Sequence, residues 1–134
     1  MKITHLDVEG FGVWSGLQVE KFCDALNVFY GPNEAGKTTL LQFIRSMLYG
    51  FSPSRRHYLP PVHGGRPGGA LDVDGPHGRF QISRFDSTDD APGEHLTLTA
   101  PDGTRQGEHF VKVDIGLSTP KLCRATPRFA SAPL

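Results

Sequence analysis

The stretch Gly31-Pro32-Asn33-Glu34-Ala35-Gly36-Lys37-Thr38 fits the pattern G-x-x-x-x-G-K-[ST] in full. Each residue type in it has a job that phosphate chemistry requires. The glycines permit a tight backbone turn, so that successive N–H groups converge on an anion. A helix opening at the end of the loop adds unpaired N–H groups and the positive end of its dipole. The Lys37 ammonium reaches β- and γ-phosphates as a point charge, and the Thr38 hydroxyl joins a magnesium shell. The candidate binding residues are therefore Gly31, Pro32, Asn33, Glu34, Ala35, Gly36, Lys37, Thr38 and Thr39, with Thr38 as the magnesium ligand. ATP with Mg2+ is the expected cofactor. A glycine-rich turn that binds nothing is the competing reading of the same residues.

Such a loop needs a strand before it and a helix after it. Ala25 to Tyr30 (ALNVFY) is a mostly apolar run ending at Gly31, which predicts a strand buried on both faces, as in a parallel sheet. From Thr38 the period becomes helical, with Leu40, Leu41, Phe43, Ile44, Met47, Leu48 and Phe51 on one face. Gly50 offers a C-cap and Pro53 a stop. Ahead of the loop, Ile3, Leu6 and Val8, a glycine-rich turn over 9–16, and Leu17 to Glu20 predict strand, turn, strand. Residues 52–70 are rich in Pro and Gly and predict a flexible loop. A hairpin follows (70–73 and 79–85 about a turn at 74–78), then short strands at 95–99 and 110–115. The prolines and missing period of the last residues predict a poorly ordered tail.

At 134 residues the chain fits one domain burying roughly two-thirds of its unfolded surface. Lys plus Arg equals Asp plus Glu at 14 each, so any nucleic-acid or membrane binding must come from a local patch. Cys23 and Cys123 lack metal-ligand spacing and support neither a disulfide framework nor a zinc site. Residues 1–25 lack the continuous apolar core of a secretory signal, and no segment approaches the ~20 apolar residues of a membrane span. A cytoplasmic protein without a membrane partner is the expectation.

With these residues in view, the chain resembles the N-terminal nucleotide-binding lobe of the SMC/Rad50/RecN-type ATPases, and among them the bacterial AAA-domain proteins of the YhaN type. The opening strand with its Gly10-Phe11-Gly12 turn, the run LNVFYGPNEAGKTTLLQFIRSMLYGF, the loop with Tyr58-Leu59-Pro60 and Gly64-Gly65, and the hairpin GGALDVDGPHGRFQISR carry the resemblance over roughly residues 1–105. It implies an α/β fold: a partial P-loop NTPase, similar to an ABC-ATPase head, with mixed or antiparallel strands and one main helix after the loop. Residues 1–109 would be the lobe and 110–134 a divergent tail. It also implies an ATP-binding head that dimerises around nucleotide or joins a missing C-terminal lobe, sits on a coiled coil, and serves DNA repair or chromosome organisation. DNA would then be met through the complete protein. Related heads often place a basic residue after the glycine turn, where this chain has Val13 and Trp14.

Hydrolysis needs more than a phosphate loop: an aspartate to hold magnesium, a group to position water, and charge stabilisation on the transferring phosphoryl. No apolar run ends in Asp-Glu. Val111-Lys112-Val113-Asp114 is the nearest look-alike, and Lys112 interrupts it. No complete catalytic set is present, so nucleotide binding with little turnover is expected. Arg55, Arg56, His57, His63 and Arg66 form either a phosphate- or DNA-contacting patch or a solvated loop. Arg84 either reaches toward the nucleotide or pairs with a neighbour such as Asp86. Phe11 and Trp14 read as packing residues, and the resemblance gives a place beside adenine as the alternative for both. A GTPase or nucleotide kinase is a second functional class, since Asp72-Val73-Asp74-Gly75 mimics D-x-x-G. A non-catalytic remnant is a third.

Overall fold

The computed structural model describes residues 1–87 and 93–106. The expected strand at 110–115, the tail over 110–134 and the look-alike at Val111 to Asp114 lie outside the described residues. Strands β1 (Lys2–Phe11) and β2 (Trp14–Val19) are followed by helix α1 (Lys37–Tyr49) and one turn of 3-10 helix (Arg56–Tyr58). Strands β3 (Gly68–Gly75), β4 (Gly78–Asp86), β5 (Glu94–Thr99) and β6 (Arg105–Gln106) complete the order. All six strands join one sheet, β2-β1-β3-β4-β5-β6, in which every neighbouring pair is antiparallel. An α/β chain with antiparallel strands and one main helix is what the sequence led us to expect.

Alternation along each strand sorts side chains onto two faces, and the register lines them up across the sheet. Val19, Leu6, Leu71, Ile82 and Leu98 fall in one continuous row across β2, β1, β3, β4 and β5. The last four of these are fully buried. Val8, Val73 and Phe80 extend this apolar face, and α1 lies across it with Leu40, Phe43 and Met47 turned inward. Their spacing of three and four residues is the stripe the sequence predicts. Each such side chain contributes roughly 1.5–3 kcal/mol on burial. The opposite face is polar: Gln18 donates to Asp7 and Gln81 to Asp72.

The C-terminal end of α1 is fastened to the sheet by a buried ion pair. Arg84 on β4, 2% exposed, donates from Nε to the Met47 carbonyl at 3.1 Å and pairs through Nη1 with the Glu94 carboxylate on β5. Glu94 in turn accepts the Phe51 backbone N–H at 2.8 Å. Arg55 adds a second guanidinium, donating from Nε to the Gly50 carbonyl at 3.0 Å. Cations at the last carbonyls of a helix also complement its dipole. The sequence left Arg84 between the nucleotide side and a pairing with Asp86. It pairs instead with Glu94, and Asp86 belongs to Arg56 at 2.8 Å.

One expectation is corrected. Ala25 to Tyr30 is not a buried strand: among the described residues it makes only an isolated bridge at Tyr30, and Leu26, Val28 and Tyr30 are 79%, 41% and 65% exposed. A buried parallel strand needs neighbours on both edges for its N–H and C=O groups, and here the sheet is wholly antiparallel and lies elsewhere. The segment is held by side chains instead. Phe22 and Phe29 meet at 5.9 Å and pack on the core, while Asn27 closes a local turn by bonding both the N–H and the C=O of Cys23. Residues 52–70, the Pro/Gly loop, bond to the rest of the molecule at several points. Gly12 N–H donates to the Tyr58 carbonyl, Val62 N–H to the Gly12 carbonyl, and Asp86 N–H to the Pro67 carbonyl. Tyr58 stacks on Phe11 at 5.1 Å, and the last residues of the stretch open β3.

Two stability measurements follow from this arrangement. Arg84→Ala leaves a partly buried carboxylate without its cation, and urea titration should show a loss of about 3–5 kcal/mol. Glu94→Gln, which keeps an acceptor for Phe51, should lose less. Leu26→Ser should change stability by no more than about 0.5 kcal/mol, against about 2–5 kcal/mol for Leu71→Ala. Equal losses for the two leucines would show that the 25–30 segment is buried after all.

Candidate functional site

The 31–38 loop owes its shape to two left-handed residues and one side chain. Gly36, the N-cap of α1, sits at φ 82°, and Glu34 at φ 71°. A non-glycine residue there costs on the order of 1 kcal/mol and marks a locally constrained backbone. Ala35 N–H donates to the Pro32 carbonyl at 3.2 Å, closing a turn over 32–35. Lys37 folds back across the loop, its ammonium donating to the carbonyls of Gly31 and, at 2.9 Å, Pro32. An ammonium has three donors, so one remains for a ligand. No side chain caps the N-terminus of α1 and no acidic residue stands in its first turn, so no carboxylate of the helix competes with an anion there.

These groups line a cavity of about 220 Å3 formed by Val13, Asn33, Glu34, Gly36, Lys37, Thr38 and Thr39. Pockets for whole drug-sized ligands run about 300–1,000 Å3, so this one is smaller than a cleft for an entire ligand of that size. The structure thus brings Asn33, Glu34, Gly36, Lys37, Thr38 and Thr39 together around one space. Gly31 and Pro32 contribute carbonyls to the lysine and Ala35 closes the turn.

The turn between β1 and β2 forms the other wall, a contribution the loop pattern could not reveal. Gly12, at φ 56°, lies so close to Thr39 that a Cβ at position 12 would stand 2.5 Å from the threonine methyl. Val13 lines the cavity. Trp14 donates its indole N–H to the Gly36 carbonyl at 3.0 Å, and its ring would stand 2.9 Å from a Cβ at Gly36. The available sequence signal was a tight Gly10-Phe11-Gly12 turn followed by a large side chain with one donor. Phe11 itself is a core residue, fully buried against Phe43, Phe51 and Tyr58.

The remaining candidates fall away from the loop. Arg56 pairs with Asp86, Arg66 stacks over Phe85 at 3.7 Å, and the His57 ring contacts the Ser54 carbonyl. Burial, and then the neighbouring Arg45 charge, holds Arg55 below the usual guanidinium range. Arg55 and Arg56 are half-buried, while His57, His63 and Arg66 are exposed. Asp72 and Asp74 sit on β3 facing Gln81 and Arg79, so the D-x-x-G mimic is a piece of hairpin. A larger cavity, about 360 Å3, lies at the opposite end of α1 between Tyr49, Gly50, Phe51, Ser52, Leu96 and the Arg84–Glu94 pair. It belongs to the helix anchor.

Magnesium is tested by the donors present. Among the described residues no group of three or more His, Cys, Asp or Glu could hold a metal ion. Mg2+ normally keeps several waters and takes one or two protein groups together with substrate phosphates. One hydroxyl, Thr38, beside a phosphate cavity fits that mode and no all-protein site.

Comparison with known proteins agrees with the loop and its surroundings. A family model described as AAA domain matches residues 5–91, more than half of the chain. Uncharacterized protein YhaN of Bacillus subtilis (strain 168) is 36% identical over 110 residues, covering 81% of this chain but only 11% of the relative. No solved structure matches. No described helix is long and apolar enough to cross a membrane. The matched span holds the glycine turn, the phosphate loop, α1 and the β3–β4 hairpin together, and on that basis the chain belongs to the AAA-domain family, among its SMC/Rad50-like members.

Proposed function

We propose that this chain binds the phosphates of Mg-ATP through a Walker A loop at Gly31–Thr38, as part of an SMC/Rad50-like ATPase. The observation that carries this reading is Lys37 laid across the loop between the Gly31 and Pro32 carbonyls, above an uncapped helix N-terminus. In this reading Lys37 meets the β- and γ-phosphates, the loop and first-turn amides surround them, and Thr38 enters the magnesium shell. Bound magnesium would offset phosphate charge. The preference for ATP over GTP comes from the family, and the D-x-x-G look-alike at Asp72 and Asp74 sits on a hairpin strand.

Two further parts of the proposal concern the whole protein. Among the described residues Glu34 is the only carboxylate lining this cavity, and it sits in a constrained αL conformation. That geometry supports binding without efficient turnover in this chain, with the hydrolytic groups supplied from outside the described residues. Leu26, Val28 and Tyr30 present an exposed apolar run that leads into Gly31. We assign that run to the contact with the rest of the ATPase head, either a C-terminal lobe or a second head, and any role with DNA in repair or chromosome organisation to that complete assembly in the cytoplasm.

Calorimetry with Mg-ATP tests the central point. A charge-assisted hydrogen bond contributes roughly 1.5–3 kcal/mol, so Lys37→Ala should weaken binding about ten- to a hundredfold. Thr38→Ala should weaken Mg-ATP more than metal-free ATP. Equal affinity of wild type and Lys37→Ala would remove the proposed site. Phosphate release by the purified chain should stay at background, and steady release abolished by Lys37→Ala would show a complete catalytic set instead.

A further inference from the structure

We propose that Trp14 is the positioning residue of the phosphate loop, holding it in its ligand-ready shape before any ligand arrives. The purpose rests on the nucleotide reading above, while the geometry stands without it. Gly36 is the pivot: it is the last residue of the loop, the N-cap of α1, and left-handed at φ 82°. Its carbonyl already accepts the first helical bond, from Leu40 N–H at 2.9 Å. The Trp14 indole N–H takes the same carbonyl at 3.0 Å, which fixes the orientation of the peptide between Gly36 and Lys37. That peptide carries the Lys37 N–H, one of the donors at the N-terminus of the helix.

Packing adds to the hydrogen bond. Three indole atoms lie about where a Gly36 Cβ contact would be, at 2.9 Å, so the ring is laid against the bare Cα of Gly36. Gly36 is required twice over, once for its φ and once for the ring. Trp14 opens β2 and is paired with Phe11 across the turn, and Phe11 is locked in the core. Gly12 meanwhile abuts Thr39 and donates to Tyr58. The rigid sheet is therefore in direct contact with both sides of the loop–helix junction. A loop with this brace loses less conformational freedom when an anion binds, which strengthens binding without any new contact to the ligand.

Trp14→Phe removes the indole N–H and keeps an aromatic ring. Hydrogen exchange on the unliganded full-length chain is the decisive measurement, because it needs no nucleotide. Amides of 31–39 should exchange about three- to tenfold faster in Trp14→Phe, the scale of one neutral hydrogen bond, while β3, β4 and the C-terminal half of α1 stay unchanged. Unchanged exchange in the loop, or acceleration spread evenly over the chain, would overturn the proposal, the latter by making Trp14 a general packing residue. Calorimetry on the same variant separates this inference from the functional reading. A several-fold loss of Mg-ATP affinity alongside faster loop exchange supports both. Faster loop exchange in a chain whose wild type binds no Mg-ATP keeps the brace and removes the nucleotide.

Discussion

Helix α1 can aim its first turn at a ligand because its last turn is held. A helix of 13 residues is about 20 Å long, and a small rotation at one end displaces the other by a comparable distance. The Arg84 guanidinium at the Met47 carbonyl, with Glu94 closing the circuit through the Phe51 N–H, removes that freedom. Arg84 is buried and Glu94 partly exposed, so water screens the contact only in part. Leu40, Phe43 and Met47 then set how the helix lies on the sheet. Ends and middle together define where Lys37, Thr38 and Thr39 stand.

At the ligand end the same logic runs on smaller groups. A loop that gathers amides around an anion must keep dipoles aligned that would rather turn to water. Three internal devices oppose that loss. Lys37 binds the loop's first two carbonyls, the 32–35 turn closes on itself, and the β1–β2 turn presses on Gly36 and Thr39. Lys37 has a double role in consequence. Its ammonium is the positive charge at the mouth and also the clasp of the loop, so its removal weakens both the charge and the shape that the anion meets.

Much of this was legible in the residues. The turn into α1 was readable because its pattern is local: two glycines, a lysine and a threonine stand within eight positions. Helix α1 was readable because Leu40, Phe43 and Met47 repeat at the helical period, and the hairpin because its turn residues sit between alternating runs. The misreading of Ala25 to Tyr30 has an equally definite cause. Its apolar content describes a segment that wants neighbours on both faces, and composition cannot say whether those neighbours are among the described residues. Arg84 was read as a free choice between two partners because the actual one, Glu94, is brought beside it only by the pairing of β4 with β5. Trp14 escaped because its contact with Gly36 joins positions 22 residues apart through the fold.

The exposed run and the phosphate loop are one continuous piece of chain, and that continuity bears on how binding becomes chemistry. Under the proposed function the groups around the loop, a lysine, amides and a hydroxyl, would act on phosphate charge already present in the ground state. Interactions of that kind tighten binding without by themselves lowering the barrier to the chemical step. Hydrolysis needs groups aimed at the water and at the charge that develops on the transferring phosphoryl. Leu26, Val28 and Tyr30 run directly into Gly31, so under the proposed function a partner surface packed on them would stand beside the mouth of the loop. That placement would give the exposed apolar surface, otherwise a liability for a small domain, a physical reason.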